Sequence, residues 1–374
     1  MTKLAENMAI PPIAPESCDV RDWAHLDALV ADLIAEYALA NGVVDMYSFR
    51  EVCKPGACSD YLRPQGVLDR RFQPRGWILL PNTFNDGVRS NRWRLMNTFT
   101  GKRIIMTVPD HHHVIGNTSE GLLLLGRTDT DDNMELLNPI TGHMISNLPP
   151  ASTLGLAKDF RLCDIDLRGA GVADDSTVVL HFKSFSLALA KPGDERWTQL
   201  YSSSKRILST LQFAGRVYCA TETDVSVVQT VENQRPQLVV AAAYQLDQSP
   251  HGNSRRLHFS DRSRMFLVDN NGELIACHHD CCDPCIHGSC YLYRVDLDAG
   301  YTVPLLERLN NGHALFISTT RSVLASSGVF PVIRPDTVYL CAGTNIAFDR
   351  LGTCAERKFK KSDAANYLTC YVSS

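Results

Sequence analysis

Leu136-Leu137-Asn138-Pro139-Ile140-Thr141-Gly142 decides the architecture, because the chain carries this stretch twice. The earlier copy, Leu95-Met96-Asn97-Thr98-Phe99-Thr100-Gly101, leads through Ile104 and Ile105 to Val108-Pro109; the later one leads through Met144 and Ile145 to Leu148-Pro149. The paired asparagines lie 41 positions apart, and so do the paired glycines. Each copy predicts a strand, a tight turn and a returning strand, with Asn-Thr or Asn-Pro opening the turn. Glycine takes the positive-φ position that a β-carbon would obstruct. A period near 40 built from short strands is the mark of a propeller blade, and it predicts that Asn97 and Asn138 occupy equivalent turns in neighbouring blades.

Outward from the repeat, nearly everything after Trp77 reads as short strands. They are Trp77 to Leu80, His113 to Gly116, Leu122 to Leu125, Thr177 to Phe182, Leu187 to Ala190, and Phe213 to Cys219. Asp224 to Gln229 answers the last of these across Glu222-Thr223, and Lys191-Pro192-Gly193-Asp194 makes a turn before Trp197. The series continues with Leu238 to Tyr244, Arg264 to Val268, Glu273 to Cys277, Tyr291 to Leu297, Ala314 to Ser318 and Thr337 to Ala342. Evenly spaced strands with frequent turn signals fit a sandwich, barrel or propeller, and the repeat selects the propeller. At ~45 to 50 residues per blade, the chain from Trp77 predicts about six blades, with seven as the alternative.

Upstream the period changes. Leu26, Leu29, Val30, Leu33, Ile34 and Tyr37 recur at helical spacing as one apolar stripe. Asp27 stands where a carboxylate caps the first turn, and Asn41-Gly42 predicts a left-handed end. A second short helix follows, with Asp45 as its cap, Met46, Phe49, Val52 and Cys53 on one side, and Pro55-Gly56 as its stop. Helices this short bury little alone, so part of their apolar surface is expected to face a partner or the next domain. Residues 1–18, with Pro11, Pro12 and Pro15, read as a flexible leader. Residues 62–76 read as a connector in which Arg70, Arg71 and Arg75 form a solvated face.

Composition narrows the function classes. The 374 residues are 44% hydrophobic and 21% charged, with a formal net charge of −4, ordinary values for a globular protein. That charge gives no electrostatic case for nucleic acid or an anionic membrane as the main partner. No apolar run approaches the ~18 residues of a membrane span. No apolar core follows a basic start, so no secretory signal is expected. Thirteen cysteines then read as mostly reduced thiols, which predicts a cytoplasmic or nuclear protein.

Candidate chemistry is sparse. Five cysteines and three histidines fall between Cys277 and Cys290, and Cys282 and Cys285 have the spacing of a zinc knuckle. No second pair stands at a fixed distance, so the cluster reads as a reduced insert in a loop between strands. His111, His112 and His113 alternate in direction on extended backbone and cannot converge on one ion. Nucleophile motifs, phosphate-cradling glycine loops and framed acid pairs are absent. The expectation is a non-catalytic protein with no cofactor and no metal site.

Two resemblances add to this. Trp23-Ala24-His25-Leu26, the stripe through Ile34, and Phe49-Arg50-Glu51-Val52-Cys53-Lys54 resemble a plant F-box, over roughly Arg21 to Tyr61. An F-box is a helical hairpin that docks on the Skp-type linker of a cullin ubiquitin ligase. This chain has Asp27 where the family places proline, and Pro55-Gly56-Ala57 where it places tryptophan. The second resemblance rests on the 136–142 repeat before Leu148-Pro149-Pro150, Lys191-Pro192-Gly193-Asp194 before Trp197, Phe213-Ala214-Gly215 before Tyr218, and Asn311-Gly312-His313-Ala314-Leu315-Phe316-Ile317. Together these look like the KIB-type β-propeller, also known as domain of unknown function 295. The resemblances imply residues 19–61 as an F-box-like helical module and 77–374 as the propeller, joined by residues 62–76. They imply a substrate-recognition adaptor. Leu26, Asp27, Leu29, Val30, Leu33, Ile34, Phe49, Val52 and Cys53 would hold the linker, and the propeller would bind a protein target. The competing expectation is an interaction scaffold whose F-box has lapsed.

Overall fold

The computed structural model describes residues 26–52, 63–80, 91–130, 132–155, 167–182, 186–201, 205–231, 234–245, 264–281, 288–305, 309, 312–317, 322–331, 333–342 and 345–350. The chain divides into two compact units, residues 1–63 and 64–374. The first holds two helices, α1 (Ala28–Asn41) and α2 (Val43–Val52). The second is a β-propeller, with six blades among the described residues.

Blade 1 contains β1 (Trp77–Leu80), β2 (Arg92–Asn97) and β3 (Arg103–Thr107). Blade 2 contains β4 (His112–Asn117), β5 (Leu123–Arg127), β6 (Met134–Leu137) and β7 (Met144–Ile145). Blade 3 contains β8 (Leu167–Val172), β9 (Val178–Phe182), β10 (Ser186–Ala190) and β11 (Thr198–Tyr201). Blade 4 contains β12 (Ile207–Phe213), β13 (Arg216–Thr221), β14 (Asp224–Gln229) and β15 (Gln237–Ala243). Blade 5 contains β16 (Arg264–Asp269), β17 (Leu274–Cys281), β18 (Gly288–Asp296) and β19 (Tyr301–Pro304). Blade 6 contains β20 (His313–Ile317), β21 (Ser322–Ser326), β22 (Thr337–Ala342) and β23 (Asn345–Arg350). In blades 2 to 5 each strand pairs antiparallel with the one before it. Blade 6 departs from this rule. Its order is β21-β20-β22-β23, with β20 and β22 parallel and Phe316 stacked on Tyr339 at 4.5 Å.

The repeated stretch forms the turn its sequence predicts. Asn97 Oδ1 accepts the amides of Phe99 and Thr100, both at 2.9 Å, and Asn138 Oδ1 accepts those of Ile140 and Thr141 at 3.0 and 3.2 Å. Gly101 and Gly142 have φ of 70° and 73°, and each donates its amide to the asparagine carbonyl at 2.9 Å. The two turns join β2 to β3 and β6 to β7. By that correspondence β1 matches β5, the second strand of blade 2, and among the described residues blade 1 lacks a counterpart of β4.

Apolar faces between neighbouring blades hold the ring. Leu122, Leu124 and Leu136 pack on Leu180, Ala188 and Trp197 between blades 2 and 3. Val179 and Leu189 meet Val217 and Cys219 between blades 3 and 4, and Leu211 and Ala220 meet Leu267 and Ala276 between blades 4 and 5. Phe266 and Ile275 meet Leu315 and Val338, and Ile78 and Met96 meet Phe316 and Tyr339, on the two sides of blade 6. Each fully buried large side chain contributes about 1.5–3 kcal/mol. Side chains also bridge the innermost strands. Ser119 Oγ accepts the Gln212 amide at 3.0 Å, Gln212 Oε1 accepts the Val172 amide at 2.8 Å, and Ser209 Oγ accepts the Leu267 amide at 3.1 Å.

Several expectations need correction. The strand read over Phe213 to Cys219 as entered through glycine begins after that glycine, as β13; Ala214-Gly215 is the turn, and Phe213 ends β12. Cys277 to Cys281 and Gly288 to Cys290 belong to the β17–β18 hairpin and pair across it, whereas the cluster was expected in a loop; Cys282 and Cys285 lie outside the described residues. α2 starts at Val43, which puts Asp45 inside its first turn, and Gly42 (φ 159°, ψ 146°) is extended where a left-handed cap was expected. Residues 64–76, expected as a connector, belong to the propeller unit. Phe72 is fully buried there, Val67 joins the core of blades 2 and 3, and Arg70, Arg71 and Arg75 pair with Asp174, Asp69 and Glu120.

Candidate functional site

The helical pair is built from small residues. Asp27 caps α1, its Oδ1 accepting the Leu29 amide at 2.9 Å, and Gly42 donates its amide to the Ala38 carbonyl at the far end. One residue later α2 begins, so the helices fold back sharply and their buried side chains are Ala31, Ala35, Val43 and Met46. Arg50 lies over the Tyr47 ring, and burial raises the Tyr47 phenol above its ordinary value against the pull of that guanidinium.

The predicted stripe therefore splits. Leu29, Leu33 and Tyr37, at i, i+4 and i+8, are 76%, 67% and 72% exposed, and Val30 and Val52 are also exposed. Leu26, Ile34 and Phe49 are half-buried, and Cys53 lies outside the described residues. Periodicity could not separate the two sides of α1, because Ala28-Leu29-Val30-Ala31 and Leu33-Ile34-Ala35 make it apolar almost all round. The signal that marks the packed side is residue size. Alanine at 31 and 35 admits the neighbouring helix, and the larger residues are left outside. Within the helical unit, α1 thus carries its large apolar side chains on the side away from α2.

The propeller offers a second site. A cavity of about 530 Å³ lies on the ring axis, lined from all six blades. The last residues of β4, β12 and β16 reach it, together with Ser119, Glu120, Ala214 and Asn271 from the turns that follow. β1 and β21 meet it instead with their first residues, Trp77-Ile78 and Ser322-Val323. Arg70 and Arg75 complete the rim. Burial holds the Glu120 carboxyl above its ordinary value, with Arg75 opposing and Asp269 adding to the rise. Among the described residues, no three His, Cys, Asp or Glu side chains stand close enough to hold a metal ion.

A short helical pair and a β-propeller, six-bladed among the described residues, define the class as a sheet-built interaction scaffold. Residues 105–367 match the KIB1-4 β-propeller model, more than half of the chain, and the chain belongs to that family. No curated protein matches it. Among solved structures it is similar to the β-propeller domain of Vanderwaltozyma polyspora Nup133, at 10% identity over 76% of this chain and 84% of that one, with a TM-score of 0.39. It is also similar to the WD40 domain of Neurospora crassa Pan2, at 9% identity over 70% and 81% with a TM-score of 0.33. A third is a Bacteroides caccae protein of unknown function, at 10% identity over 73% and 82% with a TM-score of 0.31.

Proposed function

We propose that the protein is a substrate-recognition adaptor of a cullin ubiquitin ligase, its helical pair holding the Skp-type linker and its propeller binding a protein target. One observation supports this above the others: α1 leaves Leu29, Leu33 and Tyr37 exposed on one side and packs α2 with alanines on another. An adaptor works by proximity and performs no chemical step of its own. It would act in the cytoplasm or nucleus, where thiols such as Cys219 and Cys277 stay reduced.

Titration of a purified Skp-type linker tests the reading. Burying one leucine is worth ~1.5 to 3 kcal/mol, so Leu29→Asp should weaken binding at least tenfold while the propeller stays folded. Asp27 has φ −57°, which proline accepts, so Asp27→Pro should keep the fold and bind as well as wild type or better. The lost cap costs α1 about 1 kcal/mol. No binding at ~100 μM, about −5.5 kcal/mol, with no rescue by Asp27→Pro, would replace the ligase role by the scaffold with a lapsed F-box.

A further inference from the structure

We infer that the axial cavity of the propeller receives a basic side chain, lysine or arginine, from a protein partner. This deepens the adaptor reading, since it names the chemistry of the target that the propeller would hold.

Charge on the cavity wall is matched except at one residue. Arg70 pairs with Asp174 at 2.9 Å, and Arg75 pairs with Glu120. Asp269 remains. Its Oδ1 accepts the Gly272 amide at 2.7 Å, and among the described residues no cation pairs with it. It stands near enough to Glu120 for its charge to oppose ionisation there, whereas Arg75 and, more weakly, Arg70 favour it. Walls of low dielectric strengthen that unmatched field.

The rest of the lining suits the same occupant. Asn117 and Thr210 add polar residues to the lining. Phe99 and Phe213 add aromatic rings to the lining. An acidic side chain would meet Asp269 with like charge, and an apolar one would desolvate it without a partner. A basic side chain supplies the missing charge. The site rests on strand ends and tight turns, so it is formed before the ligand arrives.

Ligand-observed NMR with the full chain tests this, using N-acetyl amides of arginine, lysine, glutamine and glutamate as probes. Arginine and lysine amides should bind, with the other two at least tenfold weaker. Asp269→Asn should weaken the basic probes at least tenfold, whereas Asp129→Asn, at an exposed ion pair with Arg127 away from the cavity, should change nothing. Asn271→Lys supplies a second route. It replaces an exposed turn residue on the rim and brings a competing cation to Asp269, so it should also abolish binding. Equal binding of the glutamate amide, no binding of any probe, or full binding by Asn271→Lys would overturn the inference. Leu29→Asp should leave probe binding unchanged, so a failed linker titration and a failed cavity remain distinct results.

Discussion

Asn138 is fully buried, and its side chain does more than that of Asn97. Besides the two amides it accepts, its Nδ2 donates to the Phe72 carbonyl at 2.9 Å, tying the 64–76 segment to blade 2. Asn138→Ala leaves three backbone groups without that partner, and a buried group left unsatisfied costs about 1–3 kcal/mol. Asn97 is half-buried, and its amides can turn to water. Urea unfolding should therefore give a loss of about 3 kcal/mol for Asn138→Ala and about 1 kcal/mol for Asn97→Ala. Equal losses would show that Phe72 contributes nothing through this bond. A second residue-scale test concerns His112 and Glu135, both buried, with Nε2 to Oε2 at 2.8 Å. His112 Nδ1 faces the Asp110 carbonyl at 2.7 Å, so that nitrogen carries a proton and the other side of the ring meets the carboxyl group. Removing one partner of a buried pair typically costs 3–5 kcal/mol, and replacing both by apolar residues costs far less. His112→Leu and Glu135→Leu should each show the large loss and the double variant much less than their sum, a coupling that a double-mutant cycle reads directly.

At the scale of elements, the segment from Pro64 to Gly76 is held by shape as much as by charge. Gly121 has φ 87°, and an added Cβ would run into the Pro74 carbonyl and ring. Gly121→Ala combines backbone strain with that clash and should lower stability by about 1–3 kcal/mol in denaturant titration. No loss would mean that Pro74 moves freely away. Turns were the legible part of this fold, since Asn138 to Gly142 and Lys191 to Asp194 carry chemistry that extended backbone does not use. Two of the innermost strands, β8 and β12, were poorly legible. β8 reads Leu167-Arg168-Gly169-Ala170-Gly171-Val172, without β-branched alternation, because its glycines let blade 4 approach: a Cβ at Gly171 would lie 3.1 Å from Val217. β4, β8 and β12 each carry an irregularity in register, around Ile115, Arg168 and Leu208, and an extra residue breaks the period-2 pattern. β12, whose Ile207–Phe213 stretch mixes apolar and hydroxyl residues, went unread for the same reason. On α1 the stripe was legible and its buried side was not, because helix packing was decided by the size of Ala31 and Ala35. The axial cavity had no sequence signal at all, being assembled from single residues of six blades.

For the whole molecule, burial of histidine inside the ring makes stability depend on pH. His181 on β9 is 2% exposed, and its Nδ1 has no hydrogen-bond partner. Burial, and secondarily the like charge of Arg168, lowers its pKa from 6.5 to about 4. In the unfolded chain the imidazole takes a proton near 6.5, while in the folded ring it stays neutral until about 4. Between those values the unfolded state binds more protons, so stability falls as pH falls and levels off below the folded pKa. The full effect is roughly 3 kcal/mol, at 1.36 kcal/mol per unit. Burial also lowers His313, which adds loss of the same sign. Glu120, raised by burial, acts oppositely and gains stability toward acid, while the lowered Asp69, Asp175 and Asp224 lose theirs only below the ordinary carboxylate range. These other groups persist in His181→Leu, so the difference between the two pH profiles isolates His181. Urea unfolding of wild type and variant from pH 8 to pH 4 should give curves that run parallel above about 7 and converge by roughly 3 kcal/mol at the acid end, with the variant the flatter. Curves parallel over the whole range would mean that blade 3 opens to admit the proton before the ring unfolds.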